Sequence, residues 1–290
     1  MIELFASDLD GTLLGALHMP GRVVKAAIRA VTESGAHFAL ATGRTFRSPH
    51  DFGFEGVDVE VVCDNGAIVL DREGRIVRYV PIDAGVLEEL LRAFPGVPFD
   101  CIGRRHSYVT ASQQAYEAGF LSKGPLARAV DYVKLRAMYK GQVRYPDERL
   151  FDQTPAEVLA HDICKVNLHL SDAAQAAEVR AFLAERADRV IDAPFSPVMF
   201  EVTNASVNKG EAVAWLADYL GVPQGRVAVY GDGGNDVAML SRFAAHGHAY
   251  ATHGASEAAR KAAGLALGSN VLYAVPRHVM RTVRLQAPRR

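Results

Sequence analysis

The chain has 290 residues, of which 49% are hydrophobic and 22% charged, a composition that excludes disordered and fibrous classes. Lys plus Arg number 32 against 33 Asp plus Glu, a net charge of −1, so no global field draws the chain to nucleic acid or to an anionic membrane. No apolar run approaches the roughly 20 residues of a membrane span. Cys63, Cys101 and Cys164 are scattered, with no CxxC pair, and the start of the chain lacks the basic-then-apolar pattern of a leader. The expectation is a cytoplasmic protein with three reduced, buried thiols.

Along the chain, short apolar runs repeatedly stop at polar turns. Ile2–Ala6 runs into Ser7-Asp8-Leu9-Asp10-Gly11-Thr12. Pro20–Ser34 follows with Val23, Ala27, Ala30 and Val31 on one helical face and Gly35 placed to end it. His37–Ala41 runs into Thr42-Gly43-Arg44, and Val59–Cys63 into Asp64-Asn65-Gly66. Near the far end, a helix opens at Lys209, carries Val213, Leu216, Ala217 and Leu220, and stops at Gly221. Val227–Tyr230 then runs into Gly231-Asp232-Gly233-Gly234-Asn235-Asp236. Apolar runs bounded by turn signals read as buried strands. Strands alternating with helices predict an α/β fold, a doubly wound parallel sheet covered on both faces. Ligands bind such sheets beyond the carboxyl ends of the strands, so the four polar motifs should converge.

The middle reads differently. A helix (Ala84–Phe94), two β-like runs (Phe99–Gly103 and Ser107–Ala111), an alternating strand (Cys164–Leu170), a helix (Ala173–Ala187) and Arg189–Asp192 suggest an α+β insert. The expected division is a core of residues 1–82 and 193–290 and an inserted domain of residues 83–192. Within the insert, Ser122–Tyr145 holds Lys123, Arg128, Lys134, Arg136, Lys140 and Arg144 against only Asp131. That is either a solvated helix face or a surface that attracts anionic substrates.

Asp8 and Asp10 leave a strand two residues apart, and Gly11 lets the chain turn. Asp232 and Asp236 form a second acidic pair at another strand end. Four carboxylates at one sheet edge repel unless a cation sits among them. A hard ion with oxygen ligands answers this, and Mg²⁺ suits carboxylates plus phosphate oxygens. Lys209 supplies a further positive charge at a helix start. The Thr42 hydroxyl and nearby backbone N–H groups are suited to a phosphate oxygen, and Arg44 is within reach of the same anion. Such a set fits phosphoryl transfer to a carboxylate. Cations neutralise the developing charge, one carboxylate attacks, and the other protonates the leaving oxygen and then activates water.

These motifs, in this order, resemble those of the haloacid dehalogenase-like phosphatases, in their Cof-like branch. Asp8-Leu9-Asp10-Gly11-Thr12 resembles the first motif, Ala41-Thr42-Gly43-Arg44 the second, Asn208-Lys209-Gly210 the third and Gly231–Asp236 the fourth. The insert between the second and third is similar in position to a C2-type cap. The resemblance implies a Rossmann-like core and a Mg²⁺-dependent phosphatase. It implies Asp8 as the nucleophile that becomes phosphorylated. Asp10 is implied as general acid and base, with its backbone carbonyl on Mg²⁺. Asp232 is implied as a direct metal contact and Asp236 as a water-mediated one. Thr42 and Lys209 match the phosphate-holding pair, with Gly43 and Arg44 beside them. Asn65, Asn208 and Asn235 match positions close to phosphate. The stretch Ala251-Thr252-His253-Gly254-Ala255 departs from the family's usual AMGNA-type segment.

The leading expectation is a hydrolase of small phosphorylated metabolites, such as sugar phosphates or nucleotide-like cofactors. The alternatives are a phosphosugar mutase and a non-catalytic phosphometabolite-binding protein on the same fold. Asp10 and the second acidic pair favour phosphate over dehalogenation, which needs no metal. The expected partner is the small metabolite alone, without nucleic acid or membrane, on a monomer or weak homo-oligomer.

Overall fold

Every apolar run that the sequence ends at a polar turn is a strand of one sheet. A computed structural model describes residues 1–119, 149–193 and 198–287. These fall into two compact units, Met1–Tyr79 with Val207–Arg290, and Val80–Ser206. Ser122–Tyr145, the basic stretch, lies outside the described residues.

In chain order the first strands are β1 (Leu4–Ser7), β2 (His37–Ala41), β3 (Glu60–Cys63), β4 (Ile68–Leu70) and β5 (Ile76–Tyr79). Then come β6 (Asp100–Gly103), β7 (Ser107–Val109), β8 (Arg149–Leu150), β9 (Ile163–His169), β10 (Val190–Asp192) and β11 (Met199–Asn204). The last are β12 (Val227–Gly231), β13 (Ala249–Ala251) and β14 (Leu265–Ala266).

The first unit is built on the sheet β14-β13-β12-β1-β2-β3-β4-β5. Pairing is parallel from β14 to β3. It turns antiparallel at β4 and β5, an edge that the reading of a parallel sheet did not anticipate. The parallel strands are buried on both faces, which is why β1 and β12 read as unbroken apolar runs. Leu4, Ala6, Val62, Val213, Leu216, Val229, Met239 and Phe243 share one core cluster. Each of the larger side chains contributes about 1.5–3 kcal/mol by leaving water. The Lys209–Tyr219 helix packs closely on the next one, because a Cβ on Gly210 would lie 2.7 Å from the Ala238 carbonyl oxygen. Gly221 follows that helix at φ +70. The helix Arg22–Glu33 buries Val24, Ala27, Ile28 and Val31. Val23 and Ala30, expected on the apolar stripe, are only half-buried; the 3, 1, 3 spacing of the observed four keeps a tighter stripe.

The second unit has the sheet β10-β11-β9-β6-β7-β8, antiparallel except at β7 and β8. Helices Ala84–Ala93 and Ala173–Ala184 bury Leu87, Leu90, Val179 and Leu183 with Cys101, Val166, Leu168 and Phe200. Asp83 caps the first by accepting from Val86 N, and Asp172 caps the second by accepting from Gln175 N. The α+β character of this stretch is therefore as expected. Its far boundary is not at 192. Strand β11 pairs with β9 and β10, so the chain returns to the first unit only after Ser206. Cys63, Cys101 and Cys164 are buried thiols, none of them in a disulfide. Among the described residues no helix is long and apolar enough to cross a membrane.

Candidate active site

The polar turns after β1, β2, β3 and β12 meet at the carboxyl edge of the first sheet. Asp8 directly follows β1, and its backbone N–H donates to the Tyr230 carbonyl on β12 (2.9 Å). That bond carries the strand pairing one residue further and fixes where the side chain emerges. Lys209 opens its helix, and the preceding Asn208 caps it by accepting from Glu211 N at 2.8 Å. The Lys209 side chain is wholly buried. Its Nζ donates to Asp8 Oδ1 and to Asp236 Oδ1, each at 2.7 Å. The turn Gly231–Asp236 wraps around its own last residue: Asp236 Oδ2 accepts from the backbone N–H of Asp232 and of Gly233, both at 2.9 Å.

Asp232 is held from the first motif. Thr12 Oγ1 donates to Asp232 Oδ1 at 2.6 Å. Gly11 stands at φ +83, and a Cβ there would lie 2.3 Å from Asp232 Oδ2. Only glycine both takes that conformation cheaply and leaves room for the carboxylate. Thr42 is buried, its N–H donating to the Val62 carbonyl (2.8 Å) and its Oγ1 accepting from Arg44 N (3.1 Å). Asn65 sits at φ +58, a left-handed conformation that Asn tolerates. Its N–H donates to the Thr42 carbonyl (3.0 Å), and its Oδ1 accepts from Asn235 Nδ2 (3.1 Å). Asn65 and Asn235 thus tie the second and fourth motifs together, whereas the Asn208 side-chain oxygen serves as a helix cap.

Two carboxylates therefore share one buried ammonium, with the Asp232 carboxylate beside them. Burial, and then the charge of Asp236, push the Asp8 carboxyl well above its ordinary pKa, and Lys209 only partly opposes them. Burial raises Asp232 too, helped by Asp236 and opposed by the Thr12 hydrogen bond. Burial disfavours the Lys209 ammonium, yet Asp236 and Asp8 outweigh it and its pKa lies above the ordinary lysine value. Oxygens of Asp8, Asp232 and Asp236 lie within 4.8 Å of one another. An all-oxygen set with surplus negative charge fits a hard divalent cation. Asp236 has both oxygens engaged, which suits it to hold Lys209 and the turn rather than to coordinate directly.

Asp10 has different partners from Asp8. Arg44 donates from Nε to Asp10 Oδ2 (2.8 Å) and from Nη2 to Oδ1 (2.5 Å). His18 Nδ1 lies 2.6 Å from the same Oδ1. Burial alone would raise this carboxyl, but Arg44 and then His18 hold it below the ordinary range. The Arg44 guanidinium rests on the Phe52 ring, 4.9 Å from its centroid. Sequence reasoning found Arg44 and missed His18 and Phe52. A single His in a turn eight residues past Asp10 carries no spacing signal that would single it out.

A family model described as haloacid dehalogenase-like hydrolase matches residues 5–275. A protein of Haemophilus influenzae, named only as a phosphatase, is 29% identical over 241 residues, 81% of this chain and 80% of that one. A 5-amino-6-(5-phospho-D-ribitylamino)uracil phosphatase of Bacillus subtilis is 26% identical over 259 residues, 82% of each chain. An HMP-PP phosphatase of Citrobacter koseri is 26% identical over 248 residues, 83% of this chain and 81% of that one. Among solved structures, a haloacid dehalogenase-like hydrolase from B. subtilis superposes with a TM-score of 0.77 at 21% identity, covering 97% of this chain and 99% of that one. This likeness shows the α/β core-and-insert fold. With the family model spanning nearly the whole chain and the four motifs at one sheet edge, the chain belongs to the haloacid dehalogenase-like hydrolases, in their Cof-like branch.

Proposed function

We propose that the chain is a Mg²⁺-dependent phosphatase of small phosphorylated metabolites that works through a phosphoryl group on Asp8. The observation that carries this reading is the buried Lys209 ammonium bridging Asp8 and Asp236 at 2.7 Å, with Asp232 set beside them. Asp8 and Asp232, with the Asp10 carbonyl, would hold Mg²⁺, which when bound offsets the negative charge of the phosphate and of the nucleophile. Lys209 fixes Asp8 Oδ1, so the other oxygen is the one presented for attack on phosphorus. Thr42 and Lys209 hold the phosphoryl oxygens, with Gly43, Arg44 and the Asn65–Asn235 pair around them. As the ester bond breaks, Asp10 gives a proton to the departing oxygen. In the second step Asp10 takes a proton from water, whose oxygen attacks the phosphorus and frees Asp8. Relatives that act on HMP-PP and on a phosphorylated ribitylaminouracil support a substrate of this size and chemistry.

Phosphate release from a panel of phosphorylated metabolites, with Mg²⁺ and with EDTA, tests the reading. Metal-dependent turnover is expected, with the best substrate naming its class. Tight binding of one compound with no turnover on any would overturn it in favour of a binding protein. Rearranged sugar phosphate in place of released phosphate would favour a mutase.

The Gly11 contact gives a sharper check on the metal. Gly11→Ala puts a methyl group into the Asp232 carboxylate and strains φ +83. Displacing a metal contact or its support typically costs 10–100-fold in metal affinity or activity. We expect the Mg²⁺ concentration for half-maximal turnover to rise by about that factor. An unchanged Mg²⁺ titration curve would remove Asp232 from the metal site.

A further inference from the structure

The contacts around Asp10 assign a role to His18, a residue outside all four motifs. His18 lies in a turn that the chain holds firmly. Leu14 N donates to Leu9 O (2.8 Å), His18 N donates to Gly15 O (3.0 Å), and Asn270 Nδ2 donates to Leu14 O (2.8 Å). His18 itself adopts φ +53, a left-handed conformation uncommon outside glycine. Strained residues persist where the surroundings over-determine them, and they cluster at functional sites. The surroundings here are the Asp10–Arg44 pair. His18 touches it twice, through the ring at Asp10 Oδ1 (2.6 Å) and through its backbone carbonyl, which accepts from Arg44 Nη2 (3.4 Å). The His18 side chain is otherwise half exposed, so packing does not account for its placement.

Counting acceptor sites on Asp10 gives the consequence. Each carboxylate oxygen has two lone pairs. Oδ1 accepts from Arg44 Nη2 and stands against His18 Nδ1. A carboxylate only accepts, so Nδ1 carries the proton and donates it into this bond. Both lone pairs of Oδ1 are then engaged. Among the described residues Oδ2 accepts from Arg44 Nε alone, which leaves one of its lone pairs open to the reacting oxygen.

We propose that His18 is a positioning residue for Asp10: together with Arg44 it occupies Oδ1 and leaves Oδ2 as the oxygen that carries the transferred proton. This rests on the reading of Asp10 as general acid and base. In the first step Asp8 bonds to phosphorus, and the proton that Oδ2 gained from water in the preceding turnover passes to the ester oxygen as that oxygen takes the electron pair of its breaking bond to phosphorus. Asp10 is left as a carboxylate in the hold of Arg44 and His18. In the second step Oδ2 accepts a proton from the water whose oxygen bonds to phosphorus, and the bond from phosphorus to Asp8 breaks with its electron pair returning to Asp8. Without His18, one lone pair of Oδ1 opens, and the proton is divided between two oxygens of which only one faces the leaving group.

Leaving-group dependence separates this role from a structural one. Nitrophenolate departs without protonation, whereas an alkoxide needs the acid. kcat/KM reports only the steps through leaving-group departure, so the water step does not enter. The experiment compares p-nitrophenyl phosphate with the best alkyl phosphate of the panel, for wild type, His18→Ala, His18→Asn and Asp10→Asn. We expect His18→Ala to lose roughly 10-fold in kcat/KM on the alkyl phosphate, a fraction of the 10²–10⁴ that a general acid supplies, and less than about 2-fold on p-nitrophenyl phosphate. His18→Asn places an amide donor near Nδ1 and tolerates the positive φ, so it should recover most of the loss. Equal losses on both substrates, or no loss on the alkyl phosphate, would overturn the proposal. Asp10→Asn distinguishes the two levels. If it is selective for the alkyl phosphate while His18→Ala is not, the assignment of His18 fails alone. If Asp10→Asn affects both substrates alike, the reading of Asp10 fails and His18 falls with it. The His18 turn is exposed enough that both variants should keep the wild-type Tm.

Discussion

Asp8→Asn is expected to lose turnover by at least about 10⁴-fold and at the same time to melt at a higher temperature than the wild type. The loss follows from the proposed chemistry. An amide oxygen is a poor nucleophile, and removing a nucleophile that forms a covalent intermediate typically costs 10⁴–10⁶ in kcat. The stabilisation follows from the electrostatics. Burial and Asp236 push the Asp8 carboxyl well above its ordinary pKa. An acid whose pKa is higher in the folded than in the unfolded state disfavours folding wherever it is ionised, and that penalty fades as pH falls. At neutral pH the wild type therefore carries the penalty. Asparagine has the same shape, still accepts from Lys209 through Oδ1, and brings no charge. A gain on the order of 1 kcal/mol corresponds to a few degrees in Tm for a chain of this size. Differential scanning calorimetry at pH 7 and at pH 5 checks it, and the gap between variant and wild type should narrow at the lower pH. A variant that melts lower than wild type at pH 7 would sink the account of crowded carboxylates. Retained turnover would sink Asp8 as the nucleophile.

The site was legible to the extent that it is local. Asp8, Thr42, Lys209 and Asp232 each stand at the end of an apolar run or the start of a helix, and both signals are written in a few neighbouring residues. The rule that ligands gather at the carboxyl ends of parallel strands then brought together residues more than two hundred positions apart. The structure bears out the convergence through the Lys209 bonds to Asp8 and Asp236. What was not legible depends on angles and contacts. The sequence showed Asp8 and Asp10 as a pair. The structure separates their partners, because the chain bends at Asp10 into a bridge with Leu14 and its carboxylate meets Arg44. His18 and Phe52 enter through that bend, from a turn and a short helix that no periodicity marks.

The same limit explains the boundary of the insert. Met199–Asn204 follows Arg189–Asp192 after only a few residues. Its alternation of Phe200 and Val202 with Glu201 and Thr203 suits a strand of either sheet. Pairing with Lys165–His169 is a long-range choice that local pattern does not encode, so a strand of the second sheet was read into the first unit. The antiparallel edge at β4 and β5 was missed for the converse reason. Strand β4 is apolar but only three residues long, and β5 is only half-buried, so neither stands out as a strand by local pattern.

Lys209→Met is the change that should cost most in stability. Methionine keeps the length and flexibility of the side chain and fits the apolar part of its path. It removes the ammonium that bonds Asp8 and Asp236 beside Asp232. Asp8 and Asp236 then lose a shared donor at 2.7 Å in a place where water cannot replace it. Removing one partner of a buried ion pair costs about 3–5 kcal/mol, and here two anions are stranded rather than one. Turnover should fall as well, by about 10²–10³-fold, the usual loss when a fixed charge aimed at the reacting oxygens is removed. The two effects have separable signatures. Asp8 is pushed up already, and without Lys209 it rises further, so the variant should gain stability relative to wild type as pH falls from 7 to 5. Adding Asp236→Asn should restore much of the lost stability, because it removes one stranded anion and keeps an acceptor of similar shape for the turn. It should not restore turnover, because the phosphoryl oxygens still lack their ammonium. Chemical denaturation of the single and double variants, beside their phosphate-release rates, reads both. A single variant with wild-type stability would show that Lys209 is not the counterion of the cluster. A double variant that regained turnover would place the function of Lys209 in holding the fold rather than in the chemistry.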